Sequence, residues 1–383
     1  MGNVMKISTG NKVAPVMTLA ALMAGCATGT IDAPAYNASA SAASQAERFI
    51  EAENEKYMAG VNKVGVLSCN VMFGINSGAS ASTSGGFRSD AARATGTTRR
   101  SDVKVTVTYA AKGISEAQMQ DIANQTCNSA EAQLADAGFQ VVPHATIKAN
   151  PHYQAMHAEG RESPFEYKGA GGTRYLVMGR DGESISDPRY IGRASGFGQA
   201  FKAAAGSAAQ QHEGRLIKDL GLTGVNVNIL IDFAKLESDG HSSFGGFASK
   251  DSASVDATIQ LTARGDVRFQ PLAEQKCWTR FGKEECMIKP NHMPVFGTSN
   301  ALVTANSFYS SIEDVTTTTD KLTSGISKTL GFLSAMGGTS SSTATDITRY
   351  QVNLIPAAYE SESQQLSRGL MGMAAAKAAS ARQ

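Results

Sequence analysis

The chain contains no run of eighteen apolar residues, so the sequence offers no helix that would span a membrane. It also lacks an excess of charge: 35 basic side chains stand against 34 acidic ones, without the basic footprint of a dedicated nucleic-acid binder. There is no Cys-x-x-Cys pair, and the spacing of the six histidines does not supply the missing ligands of a zinc site. His-Glu-x-x-His, Gly-x-Ser-x-Gly and the phosphate-binding P-loop are absent, and the glycines of 192–198 lack the spacing of a dinucleotide-binding turn. No catalytic residue, cofactor or metal is therefore expected. What is present is an apolar fraction of 42%, too high for a wholly disordered chain, in 383 residues, enough for two or three ordinary domains.

The clearest signal is at the start. Residues 1–12 carry Lys6 and Lys12 and no acid, and 13–25 (VAPVMTLAALMAG) form a short apolar stretch that ends in small residues before Cys26. That is the order of an export signal. Leu22-Met23-Ala24-Gly25-Cys26 resembles the bacterial lipobox, which implies lipidation of Cys26 and removal of 1–25. Loss of the two lysines turns the formal net charge from +1 to −1, so membrane affinity is expected from acyl chains, at about 0.8 kcal/mol per buried methylene. Ala27 rather than aspartate follows the cysteine, which by the lipoprotein sorting rule implies the outer membrane, with the body expected in the periplasm.

Export exposes the other four cysteines to an oxidising compartment. Cys277 and Cys286 flank a segment with a glycine near its middle, the pattern of a hairpin clasped by a disulfide. Cys69 falls in an expected strand and Cys127 in an expected helix; they pair where that helix packs over that strand, or remain two buried thiols.

Residues 27–45, rich in Ala, Ser and Asn, read as a flexible tether. A short helix is expected over 46–58 and a first strand over 63–73, followed by a mobile polar loop over 74–100. Val103, Val105, Val107 and Tyr109 alternate as in a half-buried strand. Ser115 and Gln118 have capping-box spacing before Met119, Ile122, Ala123, Ala130 and Leu134, and Gly138 stands where that helix should stop. Further elements are a strand over 139–142, a helix over 145–157, a strand over 174–179 and a helical segment over 199–220. Two strands, 225–233 and 255–263, are joined by a long polar connection over 238–254. Arg264-Gly265-Asp266 signals a turn, 270–297 an insertion, and 301–314 renewed order. Leu322, Ile326, Leu330 and Leu333 keep helical spacing, and a last strand at 350–354 precedes a helix over 363–379. The sum is an α/β or α+β body with a mixed sheet and packed helices, over 60–270, with β-rich insertions in the C-terminal part.

His144, His152 and His157 are concentrated in one stretch, but 152 and 157 on one helix lie about 140° apart and would not hold one ion. Asp219, Asp232, Glu237 and Asp239 lie near strand ends, and no pair can be placed from spacing.

The order Lys63-Val-Gly-Val-Leu67, Leu134-Ala-Asp-Ala-Gly138, Phe139-Gln-Val-Val-Pro143, Arg174-Tyr-Leu-Val-Met-Gly179 and Arg264-Gly-Asp-Val267 resembles the periplasmic α/β domain of the curli-secretion-channel lipoproteins. Leu67-Ser68-Cys69 stands where those relatives usually have a Pro-Phe pair. The resemblance implies a non-catalytic lipoprotein that forms homo-oligomeric rings at the outer membrane, serving secretion or a surface structure. Its partners would be outer-membrane lipid through Cys26, further copies, and other envelope proteins. A monomeric binding module, or an activator of a cell-envelope enzyme, is the competing expectation. One chain lacks the eight or more regular strands that close a membrane barrel. Copies could share one by donating hairpins from 238–254 with its flanking strands and from 301–350; both are Ser/Thr/Gly-rich, so a lipid-tethered soluble ring is the expected form.

Overall fold

The computed structural model describes residues 36–82, 101–169, 172–185, 207–241, 252–320 and 342–383. Cys26, the export segment, residues 83–100 of the expected polar loop, the glycines of 192–198 and the helical spacing of 322–333 lie outside the described residues. The helices are α1 (Ala42–Phe49), α2 (Glu116–Asp136), α3 (His144–Lys148), α4 (Pro151–Ala158), α5 (Ser207–Leu220) and α6 (Pro356–Ala381). The strands are β1 (Ile50–Glu53), β2 (Lys63–Ser82), β3 (Ser101–Lys112), β4 (Gln140–Val141), β5 (Phe165–Lys168), β6 (Arg174–Gly179), β7 (Thr223–His241), β8 (Ser252–Gln270), β9 (Lys276–Arg280), β10 (Lys283–Met287), β11 (Val295–Thr298), β12 (Leu302–Val303), β13 (Tyr309–Asp314) and β14 (Ser342–Leu354).

Among the described residues one twelve-stranded mixed sheet follows the order β1-β11-β8-β7-β2-β3-β14-β13, with β4, β5, β6 and β12 attached to it. β2 runs parallel to β7, and β3 parallel to β14, while β7 and β8 are antiparallel. This is the expected α/β class. Strands from both ends of the chain enter the same sheet, so the segment after 270 returns to the body through β11, β12 and β14.

Alternation decides which face each strand gives to the helices. Val225, Val227, Ile229, Ile231 and Phe233 of β7 meet the apolar sides of α1, α2 and α6, among them Phe49, Ile122, Leu134 and Leu370. In β2 the same face is built by Val64 and Val66 and then by Cys69, Val71 and Phe73, because a register shift between Val66 and Ser68 changes the phase of the alternation. α2 starts as expected: Ser115 Oγ accepts from the Gln118 N–H, and Gln118 Oε1 accepts from the Ser115 N–H, the reciprocal cap. Gly138, at a φ of 84°, ends it.

Several expectations are corrected. The body begins earlier than the tether allowed: Asn37 and Gln45 exchange backbone and amide hydrogen bonds of 3.0 and 2.8 Å, and Ser41 caps α1. The helix expected over 46–58 is α1, which ends at Phe49, followed by β1, an edge strand on β11. The helix over 145–157 is two helices, because Asn150 caps a new start at Pro151. β2 continues through Gly, Ser and Ala to residue 82, since its partners β6 and β3 pair backbone whatever the side chains. The turn expected at Arg264-Gly265-Asp266 is interior strand, with Gly265 opposite Ile229. The connection between β7 and β8 shortens, because pairing continues to His241 opposite Ser252. The terminal helix starts at Pro356, seven residues before the expected 363.

Candidate functional site

Most of β2 has a neighbour on each edge, and at Gly74 one of them changes. The β7 ladder ends at Phe73 opposite Ile231, and from Asn76 onward β3 takes the edge that β7 vacates, while β6 holds the other edge across the change. The sheet forks into two ribbons, one of β2, β3 and β14 and the other of β7 and β8. Gly74 is required at the fork: a Cβ there would stand 2.4 Å from Asp232 Oδ1. That oxygen accepts from the Phe233 N–H at 2.8 Å, and Tyr175 Oη reaches Asp232 Oδ2 at 3.5 Å. Burial of the carboxylate in the fork pushes Asp232 up to about 6, against the pull of the two backbone N–H groups. Burial and the same carboxylate raise Tyr175 above its ordinary value.

Each ribbon is two-faced. In the first, Tyr109 opposite Ser77 and Val107 opposite Ala79 share a face, while Thr108 and Thr106 stand with Gly78 and Ser80 on the other, where the Ser80 and Thr106 hydroxyls meet at 2.9 Å. In the second, Ala234 pairs with Ile259 and Leu236 with Ala257 on one face, and Lys235 with Thr258 on the other. The apolar faces continue the core under α6: Ile259 and Tyr109 are buried, whereas Val107, Leu236 and Ala257 are only half-buried. The outer strands of the body carry acids, Glu51 and Glu53 on β1 and Glu313 and Asp314 on β13, which blunts edge-to-edge pairing there.

The second face of the sheet holds buried polar chemistry. Asn70 Nδ2 donates to Asn228 Oδ1 at 3.0 Å, and Asn228 Nδ2 donates to Asp266 Oδ1 at 3.0 Å, a ladder across β2, β7 and β8 whose members are at most 2% exposed. Beside it Asn226 Nδ2 donates to Glu213 Oε1 of α5 at 2.8 Å. Further along, Glu183 collects three donors: Tyr153 Oη at 2.6 Å, Lys148 Nζ at 2.9 Å and His144 Nε2 at 3.3 Å. Burial pushes this carboxyl up, but the three donors outweigh it and hold Glu183 down at about 2. Burial likewise lowers His157, whose Nδ1 meets the Ser184 carbonyl at 2.9 Å.

The histidines of one stretch thus part company. His144 and His157 flank Tyr153 with different partners, and His152 turns to His212 of α5. Asp219 lies beside His152, Asp232 sits in the fork, and the side chains of Glu237 and Asp239 fall outside the described residues. The described partners of Glu183 all serve as donors to its carboxylate, and the cluster ties α3 and α4 to the turn after β6. Both cysteine pairs are joined. Cys69–Cys127 fastens α2 to β2 with Cα atoms 5.8 Å apart, and Cys277–Cys286 closes the hairpin of β9 and β10 at 4.1 Å. Cys277, Cys286 and Glu284 are the one group of three metal-ligating residues that gathers among the described residues, and its sulfurs are already bonded to each other. The better-formed cavities are small, one of about 10 Å³ under α5 and one of about 200 Å³ beside Tyr36, Gln133 and Arg368.

Comparisons with family models, with curated proteins and with solved structures returned no match. No helix among the described residues is long and apolar enough to cross a membrane, a statement that leaves membrane strands out of account.

Proposed function

We propose that this chain is a non-catalytic lipoprotein, held in the outer membrane through acyl groups on Cys26, that acts as an oligomeric structural or assembly component of a secretion system or surface structure. The forked sheet carries this reading. Its ribbons are built on strands of 20 and 19 residues, where ordinary strands have about 5–6. Their apolar faces keep half-buried side chains that packing against further copies would cover, and burial of that kind is what drives association. The acids on β1 and β13 direct contact away from the edges of the body and toward the ribbons.

Mass measurement and imaging of the detergent-extracted full-length protein test the reading. A particle of several copies with rotational symmetry is the expected result, and a belt of detergent around the ribbons would place them in the bilayer as a shared barrel. A strictly monomeric particle at micromolar concentration overturns assembly in favour of a binding module. Cys26→Ser should move the protein from the membrane fraction to the soluble fraction, and an unchanged distribution overturns the anchor.

A further inference from the structure

His152, second residue of α4, and His212 of α5 are 60 positions apart in the chain, yet their Nδ1 atoms stand 3.4 Å from each other. Two imidazole nitrogens bound at about 2.0–2.1 Å to one tetrahedral ion stand about 3.3–3.4 Å apart, so the pair already has the bite of a zinc site. The second nitrogen of His152, Nε2, lies 3.6 Å from Asp219 Oδ2 at the other end of α5. At that distance the contact is of ion-pair rather than hydrogen-bond length, and a carboxylate beside the far nitrogen of a ligating ring favours the tautomer that leaves the near nitrogen free for a metal.

We propose that His152 and His212 form a binding site for a divalent transition-metal cation of the zinc class, with Asp219 as the orienting carboxylate and water completing the coordination. The charges around the pair bear on this in both directions. Glu159, at the end of α4, adds negative charge near His212, and Arg215 opposes it, although its guanidinium is engaged by the Glu284 carbonyl. Both rings are only half-buried, so an ion has access. A bound ion would join α4 to α5, two helices on the second face of the sheet.

Zinc chloride titrated into the tag-free full chain at neutral pH, without reductant so that Cys277 and Cys286 stay bonded, tests the proposal by calorimetry. One ion per chain is expected, with binding lost in His152→Ala and in His212→Ala and weakened about tenfold in Asp219→Asn. His292→Ala, a change at a histidine that pairs with Glu274, should leave binding unaltered. Zinc should also raise the thermal midpoint of the parent chain and leave that of His212→Ala unmoved, a readout that separates loss of a ligand from loss of fold. No heat and no thermal shift with the parent chain, or binding that persists unchanged in both alanine variants, overturns the site.

Discussion

The two faces of the central sheet solve the same problem with different chemistry. Under α1, α2 and α6 one continuous apolar cluster runs from Phe49 to Ala378, fastened by Cys69–Cys127. Under α3, α4 and α5 the apolar contacts shrink to small groups such as Leu67, Tyr153, Leu216 and Ile217, and the rest is the Asn70–Asn228–Asp266 ladder and the donors gathered on Glu183. The first face gains from area and tolerates imprecision. The second gains only where every donor meets its acceptor, because a buried polar group left alone costs more than its hydrogen bond contributes.

Breaking the first face at its fastening should have the largest effect. Replacing Cys69 and Cys127 together by alanine frees a loop spanning 58 positions, for an expected loss of about 4 kcal/mol, read from denaturant unfolding. The same change at Cys277 and Cys286, 9 positions apart, should cost at most about 2.5 kcal/mol. On the second face Asn228→Ala takes the partner from both Asn70 Nδ2 and Asp266 Oδ1, and about 2–3 kcal/mol should be lost by the same measurement. A result near zero would mean that the ladder is not sealed from water.

Asp232 gives a test of opposite sign. Its folded value, about 6, lies above the ordinary 3.8, so the folded chain holds a proton that the unfolded chain releases as pH rises between those values. Stability at this group is therefore unimpaired below that window, falls through it, and is reduced above it by on the order of 2 kcal/mol. Asp232→Asn should stabilise the protein by about that amount near pH 8 and by nothing near pH 4, seen as a pH-dependent difference in thermal midpoint. Glu183 behaves in the reverse way: held down at about 2 against an ordinary 4.5, it contributes stability above the unfolded value that is lost as pH falls through the folded one. The smallest effect should be Tyr153→Phe, which removes one of the three donors to that carboxylate at a cost of about 1 kcal/mol.

Elements held together by neighbours in the chain were legible. The reciprocal cap of Ser115 and Gln118, the stop at Gly138 and the strand at 174–179 all depend on short spacings and were found as read. The extension of β2 was not legible, because Gly, Ser and Ala carry little strand preference and only β6 and β3 hold them extended. Nor was the burial of Asn226, Asn228 and Asp266, since alternation shows two faces without showing that both are covered. Of the histidine chemistry, the sequence separated His152 from His157 correctly, yet gave no sign of His212, whose approach depends on how α5 packs against α4.

By itself the sequence determined periodicity, caps and the mixed helix-and-strand body, since these follow from the conformations that each residue and its near neighbours allow. Tertiary structure alone decided the fork at Gly74, the raised Asp232, the sealed amide ladder and the meeting of two distant imidazoles. Each of those depends on which strand or helix lies alongside, and that choice is made by burial of area over the whole chain rather than by any local pattern.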